Sequence, residues 1–109
     1  MAEALKVLGQ VSPAATTLTA LYTVPAATSA TSSTLVVCNQ NATAITFRIS
    51  VAVAGAADNV KQYVAYDARL IPNSSITLTL GITLATTDLV RVYASATGVS
   101  FNLFGVEVS

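Results

Sequence analysis

The feature that most constrains this chain is an alternation of apolar and other residues with a period of two. In the segment 44–53, Phe47, Ile49, Val51 and Val53 alternate with polar or small residues. This period places successive side chains on opposite faces of a strand, so one face of the segment is expected to be buried. Convincing helical periodicity is absent from the sequence. The alternation therefore predicts an all-β fold.

Comparable runs recur along the chain and are separated by residues that favour turns, among them Gly81 and Gly98. Eight strands are predicted, over residues 6–11, 17–24, 34–39, 44–53, 61–68, 75–80, 89–95 and 99–108, with a loop over 26–33 and a short extended piece after Gly81. Phe104 and Gly105 shift the phase of the last run, which indicates a β-bulge. About eight short strands predict a single-domain antiparallel β-sandwich over residues 1–109, jelly-roll-like in arrangement.

The apolar phase of each predicted strand defines the expected core. A chain of 109 residues buries roughly two thirds of its unfolded surface when it folds, which is enough for one core. The residues on the apolar faces are Leu18, Ala20, Tyr22, Val24, Phe47, Ile49, Val51, Val53, Tyr66, Ile76, Leu78, Leu80, Val90, Val92, Ala94, Val99, Phe101 and Leu103.

The composition leaves little chemistry for catalysis. Charged residues make up 9% of the chain, against about 25% in average soluble domains, and there is no His. A nucleophilic hydroxyl needs a neighbouring base, and neither Lys6 nor Lys61 lies in a motif that would supply one. Asp58, Asp67 and Asp88 are too scattered to form a calcium loop and are expected to be solvated surface residues. The sequence therefore predicts a protein that is not an enzyme and that has no cofactor or metal.

The same composition limits the partners. The formal net charge is zero, so no basic footprint indicates nucleic acid or an anionic membrane as a partner. The apolar runs are shorter than the ~20 residues that a membrane span needs, and the first residues lack the pattern of a secretory signal. The single Cys38 excludes an internal disulfide. A solvated monomer with so few charges would be poorly soluble, so neighbouring proteins are expected to cover part of the surface.

Arg91 and Tyr93 are the leading candidates for a contact surface. Both alternate with apolar residues of the predicted strand 89–95 and should point out of the sandwich, and Arg and Tyr are over-represented where interface energy is concentrated. Asp67 and Arg69 share a predicted face, where the alternatives are a weak exposed ion pair and a contact with a neighbouring subunit. The full set of expected interface residues is Arg48, Lys61, Tyr63, Asp67, Arg69, Arg91 and Tyr93.

Several segments resemble small structural proteins encoded by tailed bacteriophages. They are residues 7–10 (VLGQ), 13–26 (PAATTLTALYTVPA), 36–39 (VVCN), 66–67 (YD) and 100–108 (SFNLFGVEV). The resemblance runs over most of the chain and implies a β-sandwich cement or decoration protein, commonly trimeric, that sits where capsomers meet. It also implies the major capsid protein as partner, a homotrimer, and a place on the capsid surface of the virion after synthesis in the bacterial host cytoplasm.

Two other interpretations stay open at this point. Similar small folds occur in phage tails, so a tail or fibre component is the first alternative. A carbohydrate-binding β-sandwich module is the second, and it would need exposed Tyr rings in a groove because the chain has no Trp. Copy number in purified virions separates capsid from tail, and glycan binding would favour the module.

Overall fold

The computed structural model describes residues 2–109, which form two antiparallel sheets that enclose one apolar core. Within this range the strands are β1 (Glu3–Val11), β2 (Thr19–Thr23), β3 (Ser29–Asn39), β4 (Ile45–Ala52), β5 (Tyr63–Leu70), β6 (Ser74–Leu78), β7 (Ile82–Leu84), β8 (Leu89–Ala94) and β9 (Val99–Val108). Sheet A has the order β1-β9-β3-β6, with β7 also paired to β3, and sheet B has the order β2-β8-β4-β5. Two 3-10 turns, Val53–Gly55 and Val60–Gln62, lie between β4 and β5. No helix within the described range is long and apolar enough to cross a membrane.

The strand order has the topology of a jelly roll. Strands β6 and β7 pair with the same neighbour, β3, and so fill one position, which leaves eight positions in the described part of the chain. The chain passes from one sheet to the other after β1, β2, β3, β5, β7 and β8, whereas β4 and β5 are neighbours in sheet B. Eight positions in two sheets connected in this way are typical of jelly rolls. The predicted jelly-roll-like antiparallel sandwich is therefore confirmed, with the short extended piece after Gly81 as an additional strand.

The core lies between the sheets and is apolar. Phe47 of sheet B and Phe101 of sheet A meet edge to face, with ring centroids 6.3 Å apart and ring planes at 71°. The predicted inward faces of β8 and β9 are confirmed by the buried residues Val90, Val92, Ala94, Val99, Phe101 and Leu103. Tyr22 and Ile49 are also buried as expected, and Leu78 packs against the core while only partly buried. Each large side chain buried in this way contributes about 1.5–3 kcal/mol.

Some expectations about strand ends and faces are wrong. Ala20 is exposed, since the register of β2 against β8 shifts between Ala20 and Tyr22. Residues 26–33 are not a loop throughout, because β3 begins at Ser29 and pairs there with β7 and β9. Its Thr residues fit a pleated strand well. Val53 is 71% exposed because β4 ends one residue earlier. Ile76 and Leu80 are each 37% exposed, since β6 lies at the edge of sheet A and Leu80 follows the end of that strand.

The β-bulge predicted at Phe104 and Gly105 is present as a shift in register, but the extra residues belong to the neighbouring strands β1 and β3 and not to β9. The register of β9 shifts at this position against both β1 and β3. A Cβ added to Gly105 would collide with the carbonyl oxygen of Thr31 and would lie 2.9 Å from the Cα of Ser32. Gly105 therefore allows β9 to approach the backbone of β3 more closely than any other residue could.

A polar network joins the two sheets near one end of the sandwich. Tyr22 on β2 donates to Glu107 Oε2 on β9 over 2.5 Å, and Lys6 on β1 donates to Glu107 Oε1 over 3.1 Å. The hydrogen bonds from Tyr22 and Lys6 hold the pKa of Glu107 below its ordinary value. Burial, reinforced by the Glu107 carboxylate, raises the pKa of Tyr22. The ionised carboxylate thus accepts two hydrogen bonds from side chains of different sheets.

Candidate functional site

The outer faces of the two sheets differ in charge. Apart from Glu3 at the start of β1, the outer face of sheet A consists of cross-strand rows of uncharged side chains, such as the row Gln10, Asn102, Val36 and Thr77. Sheet B and the loop that precedes β5 carry most of the charged residues of the chain, which are Arg48, Asp58, Lys61, Asp67, Arg69 and Arg91. Charged side chains are therefore concentrated on sheet B and on the loop that precedes β5.

Five residues of sheet B form a tyrosine–arginine cluster, which comprises Arg48, Tyr63, Tyr66, Asp67 and Tyr93. The guanidinium of Arg48 lies 4.2 Å from the ring centroids of both Tyr66 and Tyr93. Arg48 Nε donates to Asp67 Oδ1 over 2.6 Å, and Nη2 donates to Oδ2 over 3.4 Å. Tyr63 meets Tyr66 edge to face, with centroids 5.1 Å apart and planes at 87°. The cluster is therefore continuous from β5 across β4 to β8.

These contacts fix the arrangement of the cluster and keep Arg48 and Tyr63 in their ordinary protonation states. Cation–π contacts and exposed ion pairs are individually weak, but here they act together on one guanidinium. The hydrogen bond to Asp67 raises the pKa of Arg48 above its ordinary value. Burial, followed by the neighbouring carboxylate of Asp58, raises the pKa of Tyr63. Arg48 therefore stays charged and Tyr63 stays protonated at neutral pH.

An irregularity in β5 explains why Tyr66 lies in this cluster and not in the core, where its apolar phase predicts it. The register between β4 and β5 shifts at Arg48, so Tyr66 and Asp67 both lie opposite this one residue. Asp67 has a positive φ of 51°, which is uncommon outside glycine and fits a bulge. The extra residue interrupts the alternation of faces, and Tyr66 is 59% exposed as a result.

The other predicted interface residues surround the cluster without joining it. Arg91 is half-buried on the outward phase of β8, and its Nη2 donates to a backbone carbonyl of the loop between β4 and β5 over 3.5 Å. Lys61 lies in the second 3-10 turn, since β5 begins two residues later than predicted. Arg69 is exposed, and an ion pair with Asp67, one of the two alternatives for these residues, is replaced by the pair between Asp67 and Arg48. The structure thus brings together Arg48, Tyr63, Asp67 and Tyr93 of the seven predicted residues, and their role as an interface stays a prediction.

A cleft lies beside the cluster. It has a volume of about 490 Å³ and is lined by Val60, Tyr63 and Tyr66. Val60 is 89% exposed, which is unusual for an aliphatic side chain so close to two aromatic rings. Neither Val60 nor Tyr66 is among the residues that the sequence singles out for this face. The position of Tyr66 depends on the bulge, and that of Val60 on a turn that ends just before β5.

Asp88 is a structural residue and not the solvated one that the sequence predicts. It is 9% exposed, and its carboxylate accepts hydrogen bonds from the backbone N–H groups of Ala54 and Ala85, both over 2.9 Å. These bonds fasten the loop after β4 to the turn before β8. Within residues 2–109, no group of three His, Cys, Asp or Glu side chains is arranged to hold a metal ion.

Comparison with known proteins finds a likeness in fold alone. No family model matches the chain, and no curated protein matches it. A solved chain in the structure of infectious bursal disease virus, Gx strain, is similar with a TM-score of 0.57 and 12% sequence identity. The alignment covers 97% of this chain but 32% of the viral one, so this chain spans about a third of the length of that protein. The two-sheet β fold is therefore one that also occurs in a chain of a virus structure.

Proposed function

We propose that this chain is a structural protein of a virus particle, specifically a capsid cement or decoration protein of a tailed bacteriophage. The observation that carries this proposal is the jelly-roll sandwich, whose fold is similar to that of a chain in a virus structure. A charged fraction of 9% supports it, because so few charges suit a surface that neighbours cover. The segments that resemble tailed-phage structural proteins support the finer assignment. The proposed partner is the major capsid protein, on the capsid surface, after synthesis in the bacterial host cytoplasm.

The proposed mechanism is additive burial at the junctions between capsomers, with no enzymatic step. Each copy would cover apolar and hydroxyl-rich surface, which contributes roughly 25 cal/mol per Å² of apolar area removed from water. Lost freedom on association offsets part of this gain for every copy. A symmetric oligomer spreads that cost over several contacts, so the shell would be stabilised by many modest interactions.

The proposed contact with the shell is the outer face of sheet B. The tyrosine–arginine cluster is held in place before binding, with Arg48 between two rings at 4.2 Å. Tyr and Arg are the residues that most often dominate protein interfaces. Arg91 and Tyr93 lie on the same outward phase of β8, so the leading candidates from the sequence belong to this face.

A homotrimer is the proposed oligomeric state. The number three comes from the resemblance, whereas the composition indicates only that part of the surface is covered. The outer face of sheet A carries Glu3 at the start of β1 and otherwise uncharged side chains, so it could pack against a second copy with little repulsion between like charges. Sedimentation equilibrium at micromolar concentration should give the mass of a trimer, and a well-behaved monomer would count against a self-assembling cement protein.

Mass spectrometry of purified virions tests the proposed function. A cement protein should be found in the particle at a copy number that matches the capsomer junctions of the shell. A low copy number in tail fractions would favour the alternative, a tail or fibre component. Absence from purified virions would contradict both assignments.

A further inference from the structure

We propose that the cleft formed by Val60, Tyr63 and Tyr66 receives one apolar side chain from an acidic segment of the partner protein. This inference deepens the proposed function and rests on it for the identity of the partner. The occupant is an aliphatic or aromatic side chain with carboxylates beside it. The walls of the cleft determine the apolar side chain, and the charges of the surrounding face determine the carboxylates.

The walls of the cleft suit an apolar side chain. They consist of one valine and two tyrosine rings, and the volume of about 490 Å³ is in the range of ~300–1,000 Å³ that is usual for binding sites. Val60 is 89% exposed and Tyr66 is 59% exposed. Covering these two side chains removes apolar surface from water, which favours association.

The cleft is rigid before a partner binds. The ring of Tyr66 is covered on one face by Arg48 at 4.2 Å and is met by Tyr63 at 87°. Arg48 is itself fastened to Asp67 by two hydrogen bonds. Rings that are already ordered lose little conformational entropy on binding, so more of the contact energy contributes to affinity.

The face that carries the cleft has a small net positive charge, with the carboxylate of Asp58 beside Tyr63 and that of Asp67 bonded to Arg48. Sheet B and the loop before β5 hold four basic and two acidic side chains, a net charge of +2, which are Arg48, Lys61, Arg69, Arg91, Asp58 and Asp67. Lys61 follows Val60 directly, and neither Lys61 nor Arg69 has an ion pair within residues 2–109. Carboxylates from a partner would therefore find cations beside the apolar cleft. A second copy that presented the same face would bring the same positive charge and be repelled.

A carbohydrate fits these walls less well. Sugar binding needs an open ring face together with polar side chains that bond to hydroxyl groups. Here one face of Tyr66 is occupied by Arg48, and the ring of Tyr63 stands nearly perpendicular to that of Tyr66. The two rings therefore do not form the flat platform that a pyranose would cover.

A titration followed by NMR tests this inference on the isotope-labelled full chain. The probes are three short synthetic peptides: Asp-Glu-Leu-Glu-Asp, the same peptide with Ala in place of Leu, and Lys-Arg-Leu-Arg-Lys; maltose is the fourth probe. The acidic Leu peptide should shift the resonances of Val60, Tyr63 and Tyr66. It should bind about 50-fold more tightly than the basic peptide, because two charge pairs roughly 7 Å apart in water at low salt attract the acidic peptide about as strongly as they repel the basic one.

Two variants with matched exposure locate the site. Val60→Ala removes a side chain that is 89% exposed in the cleft, and Leu5→Ala removes one that is 87% exposed on β1 of sheet A. Neither change disturbs the core, so both variants should keep the wild-type circular dichroism spectrum. Val60→Ala should weaken binding of the acidic Leu peptide about threefold or more, since two methyl groups leave the contact. Leu5→Ala should leave binding unchanged.

Several results would overturn the inference. They are equal binding of the acidic and basic peptides, absence of peptide binding, shifts with maltose alone, and shifts of the cleft residues that depend on protein concentration without any peptide. These results are separate from the test of the proposed function. If the chain binds the acidic peptide but is absent from virions, the virion role is contradicted and the proposed chemistry of the cleft is supported. If the chain is found in virions but does not bind the peptide, the virion role is supported and the proposal for the cleft is contradicted.

Discussion

Replacing Phe101 by Ala tests the strand phase on which the assignment of both outer faces depends. Phe101 is fully buried, and its ring meets Phe47 edge to face across the core. Truncation of a buried Phe to Ala costs about 3–5 kcal/mol, of which roughly 1 kcal/mol belongs to the aromatic pair. A domain of this size is stable by about 5–15 kcal/mol, so Phe101→Ala should fold but with much reduced stability.

Phe104→Ala is the matched control, because it removes the same atoms from the same strand. Phe104 is half-buried on the outward phase of β9, so its loss should cost less than about 1.5 kcal/mol. In a urea titration with a slope of about 1.5 kcal/mol/M, the midpoint should fall by about 2–3 M for Phe101→Ala and by less than about 1 M for the control. A loss below about 1 kcal/mol for Phe101→Ala, or equal losses for both variants, would refute the strand phase.

Three further changes test the contacts that hold the sandwich together. Asp88→Ala leaves two partly buried backbone N–H groups without their acceptor and should cost roughly 1–3 kcal/mol in the same titration; a loss under about 0.5 kcal/mol would mean that the carboxylate does not fasten the loops. Gly105→Ala should destabilise by about 1–3 kcal/mol or more because its Cβ would meet the backbone of β3, and an unchanged melting temperature would contradict that close approach. Glu107→Gln tests pH dependence. The folded-state pKa of Glu107 lies below its ordinary value of 4.5, so its contribution to stability is fully present above about pH 4.5 and is lost as the pH falls through the folded-state pKa. The stability difference between wild type and Glu107→Gln should therefore shrink from pH 6 to pH 3, and a constant difference would show that this carboxylate has no part in acid unfolding.

Sequence periodicity predicted the fold best where strands are regular. The inward residues of β8, including Val90 and Val92, follow an uninterrupted alternation because this strand is paired on both sides. The phase shift at Gly105 was visible as well, since glycine interrupts the alternation of β9. The alternation in β8 and β9 is enough to predict which of their side chains face the core and that Arg91 and Tyr93 point outward. The assignment of residues 1–109 to a single domain stays a prediction.

The same periodicity could not predict contacts that depend on irregular backbone. Tyr66 has an apolar phase in the sequence, but the bulge at Asp67 turns it to the outer face and places it on Arg48. The partners of Asp88 are backbone groups, one of them 34 residues away, and nothing in the local sequence marks them. Four of the five cluster residues, all but Tyr66, could therefore be named from the sequence, whereas the geometry of the cluster required the register between β4 and β5.

We propose that the outer face of sheet B attaches this protein to a viral shell. The most direct test of this claim is quantitative rebinding of purified protein to phage particles from which the protein has been stripped. We expect the double variant Arg91→Ala/Tyr93→Ala to remain folded by circular dichroism and to lose about tenfold or more in affinity, as at other interface positions of this type. The control Gln40→Ala, in the exposed turn between β3 and β4, should rebind like wild type. Rebinding of the double variant at wild-type occupancy would contradict the claim and move the contact surface elsewhere on the sandwich.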